Sequence, residues 1–269
     1  MTTEEKDARA LLSNVKRIVI KIGTSSLVYK NGKVNFKRLD MLTRVISDLT
    51  NQGKEIILVS SGAIGLGVNK LKLKKKPDTV SGRQAVAAVG QCTMMQIYGN
   101  FFGDYDLHTA QLLLTRDVVE KDAMRVNAVN TFEELLKMGI VPIVNENDSV
   151  AVDEIKFGEN DKLSAIISIL ASAGLLIILT DKDGYYDKNP NEFDDARLIH
   201  SISDLSEKVE AAAGGSGSKF GTGGMLTKVH ASRLAAEKGI YSVIANGDDP
   251  RIIYEIIEGK DVGTIFFQN

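Results

Sequence analysis

The chain has 269 residues, 43% of them hydrophobic and 25% charged, with 33 basic residues against 35 acidic ones. A net charge of −2 gives no electrostatic footprint for nucleic acid or an anionic membrane surface, and no apolar run reaches the length of a membrane span. Cys92 is the only cysteine, which excludes disulfide frameworks and cysteine metal sites; with an acidic, polar N-terminus, a reducing cytoplasm is the expected compartment.

Residues 1 to 14 read as a frayed lead-in helix. Arg17 to Ile22 (RIVIKI) is a first buried strand, carrying Lys21 into the turn Gly23-Thr24-Ser25-Ser26. A lysine entering such a turn suits a phosphate cradle, although the spacing of a P-loop is missing. Asn31-Gly32 signals a small hairpin. Phe36 to Gln52 has helical apolar spacing and stops at Gly53. The strand Glu55 to Val59 delivers Ser60 to Gly67 (SSGAIGLG), a small-residue turn that lets backbone amides approach an anionic ligand. Its glycines follow GxxGxG rather than the dinucleotide-binding GxGxxG. The lysine run from Lys70 to Lys76 reads as a solvated loop. Ser81 to Phe102 is a long helix, and a lone Cys92 on its apolar run is expected in the core. The strand Thr109 to Leu114 and the helix Ala123 to Met138 follow.

The stretch from Ile140 to Ala165 carries the strongest chemical signal. A buried strand, Ile140 to Val144, runs into Asn145-Glu146-Asn147-Asp148, and a second polar knot, Gly158 to Lys162, precedes an apolar helix-like run from Leu163. Val150 to Phe157, between the knots, partly alternates and suits an edge hairpin or flap. The strand Leu175 to Leu179 then ends at Thr180-Asp181, where the spacing fails as a calcium loop. The Gly-rich segment Ala213 to Gly224 feeds the helix Met225 to Lys238, with Lys228 one turn in. Tyr241 to Ala245 is a strand, Pro250 to Glu258 a short helix and Val262 to Phe267 a final strand.

Strands alternate with helices throughout, which predicts an α/β fold with a mostly parallel sheet covered on both faces. The polar clusters follow the strands ending near Ile22, Val59, Val144 and Leu179, the edge where open α/β sheets bind ligands. Such a site holds two separated lysines, amide-lined turns, several Asn and Asp, and no positioned histidine, since His108, His200 and His230 lie outside the clusters. Those groups suit phosphoryl transfer, where catalysis is mostly positioning and charge neutralisation. The carboxylates would organise the lysines and help hold Mg²⁺ through nucleotide phosphates.

With those residues assembled, the chain resembles the amino-acid kinase family. The matching stretches are VIKIGTSSL, VSSGAIGLG, AAVGQ, LLLTRDV, IVPIVNENDSV, FGENDKLSA, LLIILTDKDGYY and GTGGMLTKVHAS, in family order over nearly the whole chain. The pair VNEND and GENDKLSA is the most specific, and points to the branch that phosphorylates the γ-carboxylate of L-glutamate with ATP at the first step of proline biosynthesis. The resemblance implies an αβα sandwich with a single kinase domain over residues 1–269; many family members add a C-terminal PUA domain, and its absence is expected here as a departure from them. It implies that Lys21 contacts the transferred phosphoryl group, with Gly23 and Thr24 in its cradle. Ser61, Asp148 and Asn160 would hold glutamate, with Gly62 and Asn145 beside them. Asp161 would orient the catalytic lysines Lys21 and Lys228. Thr180, Asp181 and the loop Thr222, Gly223, Gly224, Met225, Leu226, Thr227 and Lys228 would bind the nucleotide. ATP and Mg²⁺ are the implied cofactors, with no metal ligand from the protein.

As partners the resemblance implies L-glutamate, proline as a feedback inhibitor acting around Val150 to Phe157, the downstream γ-glutamyl phosphate reductase, and a second copy of the chain in a homo-oligomer; nucleic acid and membrane are not expected. Glu159 stands where the family commonly has Asp. The flap from Val150 to Phe157 would limit water access to an acyl phosphate. Rival readings are a sister kinase acting on acetylglutamate, aspartate, carbamate or a nucleoside monophosphate, or a non-catalytic amino-acid or nucleotide sensor.

Overall fold

The computed structural model describes residues 2–29, 32–115, 118, 121–150, 159–203, 205 and 224–268. The expected flap (from residue 151 on), Asn31, Gly158 and the Gly-rich loop up to residue 223 lie outside the described residues. In chain order the elements are α1 (Thr3–Leu11), β1 (Arg17–Ile22), α2 (Thr24–Leu27), α3 (Phe36–Asn51), β2 (Glu55–Ser60), α4 (Ala63–Lys70), α5 (Val80–Gly103) and β3 (Thr109–Leu114). There follow α6 (Asp122–Lys137), β4 (Val141–Glu146), α7 (Glu159–Leu170), β5 (Leu175–Thr180), β6 (Tyr185–Tyr186), β7 (Leu198–Ile199) and β8 (Ser201–Ile202). The last are α8 (Met225–Ala236), β9 (Tyr241–Asn246), α9 (Ile252–Ile257) and β10 (Thr264–Phe266).

Eight strands form one sheet in the order β3-β4-β2-β1-β5-β9-β10-β8. The sheet is mostly parallel, as expected, with β9 and β10 an antiparallel pair. The strands β1, β2, β4 and β5 are nearly continuous apolar runs, the signature of strands buried on both faces. Ile18 to Ile20, Ile57 to Val59 and Leu175 to Ile178 are all fully buried. The chain divides into two compact units, Met1–Lys21 with Asp161–Asn269, and Ile22–Asn160. Among the described residues, no helix is long and apolar enough to cross a membrane.

In the first unit, β1, β5 and β9 run parallel, with Lys21 opposite Ile178 and Ile178 opposite Ile244. Small residues let α8 lie close to β9, where Ser242 Oγ donates to Ser232 Oγ at 2.9 Å. The N-terminal segment is not frayed. Thr2 caps α1 by accepting from the Glu5 amide, and Arg9, 1% exposed, buries its guanidinium. That group donates to the carbonyls of Lys260 and Val262 at 3.0 Å, His200 at 2.9 Å and Gly263 at 3.4 Å. Such a carbonyl cage satisfies the donors that burial would otherwise orphan. A small second sheet, β6 with β7, was not anticipated; its strands are two residues each, too short for a period to show.

In the second unit, β3, β4 and β2 are parallel, and α4 packs closely on α5. Glycine makes that approach possible: a Cβ on Gly67 would fall 2.0 Å from the Val86 carbonyl, and one on Gly90 1.7 Å from that of Ala63. Gly67 of the GxxGxG turn is therefore a packing residue rather than part of an anion cradle. The buried face of α5 carries Val86, Ala87, Gly90, Gln91, Met94, Tyr98 and Phe102. Cys92 falls on the opposite side and is exposed, contrary to the core placement expected of it.

Candidate active site

Both polar knots are partly regular structure. Strand β4 continues through Asn145 and Glu146, and Glu159 to Lys162 form the first turn of α7 rather than a loop. A strand end and a helix start hold side chains at fixed angles, which a loop of the same composition would not.

In the first unit, β1 supplies Lys21, α7 supplies Asp161 and α8 supplies Lys228. Asp161 has no exposure and the two lysines 6% each. Lys21 Nζ lies 2.5 Å from Asp161 Oδ1, and Lys228 Nζ donates to Oδ2 at 3.1 Å. The Thr227 hydroxyl donates to the same Oδ2 at 2.8 Å. Burial alone would raise the pKa of Asp161, but the Lys21 and Lys228 charges and these hydrogen bonds outweigh it, holding the carboxyl below its ordinary range. The aspartate is thus a fixed anion that holds two ammonium groups together, leaving the trio with net charge +1. Asp161 also closes its own turn, since the Ser164 hydroxyl donates to its carbonyl at 2.6 Å.

Of the expected nucleotide positions in this unit, Thr180 ends β5 and its hydroxyl donates to Asp181 Oδ1 at 3.2 Å, while Asp181 is exposed. Gly224 is the N-cap of α8, with Met225, Leu226 and Thr227 in its first turn. Thr222 and Gly223 lie outside the described residues.

In the second unit a neutral network stands at the ends of β2 and β4. Asn145, buried, donates through Nδ2 to Gln91 Oε1 at 3.0 Å and accepts at Oδ1 from Asn160 Nδ2 at 2.9 Å. Gln91 is itself buried, and its Nε2 has no hydrogen-bond partner among the described residues. A buried donor left unsatisfied costs about 1–3 kcal/mol. Ser61 follows β2, its hydroxyl donating to the Ile22 carbonyl at 3.0 Å. Gly62 caps α4 with φ +110, a backbone region glycine tolerates at little cost. Gly23 caps the single turn α2, and Thr24, its first residue, is exposed.

Two acids complete this set. Asp148 is half-buried; burial raises its pKa, and the charge of Lys76 partly offsets the rise. Glu146, the last residue of β4, is pushed up to about 7 by burial and then by the charge of Asp148, and its Oε1 is buried without a partner among the described residues.

The structure therefore brings together Lys21, Asp161 and Lys228 in one cluster and Asn145 with Asn160 in another. Gln91, Glu146 and the specific role of the Thr227 hydroxyl were missed. A signal for Gln91 was present in AAVGQ: a glutamine on the apolar stripe of α5 must find a buried partner.

The sequence profile of the amino acid kinase family matches residues 16–246, a span that includes parts of both units. The chain belongs to the amino acid kinase family. Among its relatives in this family, the glutamate 5-kinase of Clostridium perfringens is 53% identical over 262 residues, covering 96% of this chain and 97% of that protein. The glutamate 5-kinase of Enterococcus faecalis is 52% identical over 264 residues, covering 97% of each. The amino-acid kinase fold is also that of solved UMP kinases. The enzyme from Bacillus anthracis superposes with a TM-score of 0.65 at 15% identity, covering 95% of this chain and 97% of that one. At that identity the likeness speaks for the fold alone.

Proposed function

We propose that this member of the amino acid kinase family transfers the γ-phosphoryl group of ATP to the γ-carboxylate of L-glutamate, the first step of proline biosynthesis. The observation that carries the reading is the buried Lys21–Asp161–Lys228 cluster. Identity above 50% to two glutamate 5-kinases over nearly the whole chain supports glutamate as the acceptor.

The acceptor carboxylate has an ordinary pKa of about 4.3 and is ionised at neutral pH. It needs no general base, in keeping with a set of site residues that includes no histidine. One of its oxygens forms a bond to the γ-phosphorus while the bond from that phosphorus to the bridging oxygen breaks. ADP leaves with the electron pair, no proton moves, and γ-glutamyl phosphate is formed. The obstacle is repulsion between two anions. An ammonium group about 4 Å from a phosphoryl oxygen contributes roughly 4 kcal/mol at an effective dielectric of about 20, before desolvation costs. Lys21 and Lys228 supply that charge, and Asp161 fixes their aim beforehand, so little reorganisation is needed during transfer.

Both oxygens of Asp161 are engaged by ammonium groups, which leaves this carboxylate unsuited to bind a metal directly. The arrangement fits Mg²⁺ held through the nucleotide phosphates, where the ion would neutralise phosphate charge. Thr180, Asp181 and residues 222–228 are assigned to the nucleotide, with Gly23 and Thr24 beside Lys21. Ser61, Gly62, Asn145, Asp148 and Asn160 are assigned to glutamate. Asn160 and Asp161, consecutive on α7, then serve acceptor and donor respectively. The reading extends to a cytoplasmic homo-oligomer, inhibited by proline, whose product passes to a reductase.

A coupled ADP-release assay across glutamate, N-acetylglutamate, aspartate, carbamate and UMP, with and without proline, tests this function. Glutamate should give at least about 100-fold higher kcat/KM than any other acceptor, with hydroxylamine trapping its acyl phosphate. Preferential turnover of another acceptor would replace the reading.

A further inference from the structure

Gln91, Asn145 and Asn160 form a relay of three primary amides in which each hydrogen bond points the same way. Asn160 donates to Asn145, and Asn145 donates to Gln91. An amide has one donor end and one acceptor end of nearly the same shape, so rotating it by half a turn exchanges the two. Rotating Gln91 alone would set its NH₂ against the NH₂ of Asn145. Asn145 must then rotate as well, and Asn160 after it. The relay therefore has two self-consistent orientations, and they differ at its outer end. In the observed one, Asn160 gives one N–H to Asn145 and its Oδ1 takes no hydrogen bond among the described residues. In the other, Asn160 would offer a donor instead.

The inner end is costly in the observed orientation, because Gln91 keeps a buried NH₂ with no partner among the described residues. Rotation would bury an unpartnered carbonyl there, which is better tolerated than an orphaned N–H. The observed orientation therefore presents an acceptor at Asn160 and leaves its cost at the buried end. An acceptor oxygen matches an ammonium group and repels a carboxylate.

We propose that Gln91 is a positioning residue that sets which end of the Asn145 and Asn160 amides the acceptor amino acid meets, and so selects acceptors bearing a free α-ammonium group. This deepens the assignment of Asn145 and Asn160 to glutamate and rests on it. Gln91 acts through its neighbours and need not touch the substrate itself.

The test compares glutamate with glutarate, which has the same two carboxylates and no ammonium. Gln91→Met keeps the length of the side chain and removes its amide, freeing Asn145 and Asn160 to rotate. Gln91→Glu keeps an oxygen for Asn145 to donate to. KM for glutamate should rise about tenfold or more in Gln91→Met, while the inhibition constant of glutarate stays within about threefold and KM for ATP within about twofold. Gln91→Glu should restore most of the preference for glutamate over glutarate. If Gln91→Met weakens glutamate and glutarate equally, or leaves both unchanged, the proposal is overturned, as it is if Gln91→Glu matches Gln91→Met. Should Gln91→Met fail to fold, the Gln91→Glu comparison alone decides: a lost preference overturns the proposal and a kept preference supports it. Calorimetric binding of both ligands to wild type separates the two layers of inference. A chain that binds glutamate above glutarate without phosphorylating it overturns the kinase function and leaves the variant comparison readable by affinity, whereas one that binds glutamate no better than glutarate overturns the selectivity proposal directly.

Discussion

The two polar clusters solve different problems with different chemistry. Around Asp161 two buried ammonium groups are paired with one carboxylate, and the Thr227 hydroxyl is the one neutral side chain described as bonding to it. Around Asn145 the hydrogen-bonded groups are neutral amides, and direction rather than charge carries the information. A charged cluster stabilises whatever anion arrives, whether nucleotide or inorganic phosphate, and discriminates poorly. A neutral relay adds little energy and distinguishes a donor from an acceptor. Rate should therefore depend on the first cluster and selectivity on the second.

The sharpest way to break that division is Lys228→Met. Losing roughly 4 kcal/mol of charge stabilisation corresponds to a fall in kcat of about 10³-fold, with KM for glutamate within about threefold. Hydroxamate formation under saturating substrates would measure it, and a loss under tenfold would detach Lys228 from the transferred group. Asp148→Ala addresses the other side. KM for glutamate is expected to rise about 10- to 100-fold and KM for ATP by less than twofold, read from initial rates with each substrate varied in turn. Equal effects on both substrates would blur the division.

The smallest effect is expected at Glu146, which belongs to neither network. The folded chain holds its proton up to about pH 7, whereas an unfolded carboxyl releases it near 4.5. Between those values the unfolded state loses the proton first, so ionisation favours unfolding and stability falls as pH rises. Glu146→Gln removes that penalty. Its Tm should exceed wild type by about 2–4 °C at pH 8, from about 1 kcal/mol after allowing for a half-buried group, and by under 1 °C at pH 5. Differential scanning calorimetry at the two pH values would show it, and an equal shift at both would refute the buried acid.

How much of this was readable beforehand follows from the range of each interaction. The apolar runs that became β1, β2, β4 and β5 announce themselves locally, because a strand buried on both faces has no polar interruption. The two lysines were singled out by the turns they adjoin, whereas Asp161 as the group between them came through the family resemblance, since 140 residues separate Lys21 from Asp161 and no periodicity spans that gap. Gln91 was quoted within a motif and assigned no role; its partner lies 54 residues away. Cys92 was expected in the core because the helix is apolar overall, but a helix buries a stripe, and Cys92 lies off it. Gly67 looked like part of a ligand turn until the path of α5 showed what fills the space.

The anchoring of α1 has a consequence for the order of assembly in a growing chain. Three of the four carbonyls that receive the Arg9 guanidinium stand 251 to 254 residues further along. At 5–20 residues per second, translation needs roughly 12 to 50 s to deliver them. This helix, made long before its seat, is therefore among the later elements to dock, and its docking can report that synthesis has passed β10.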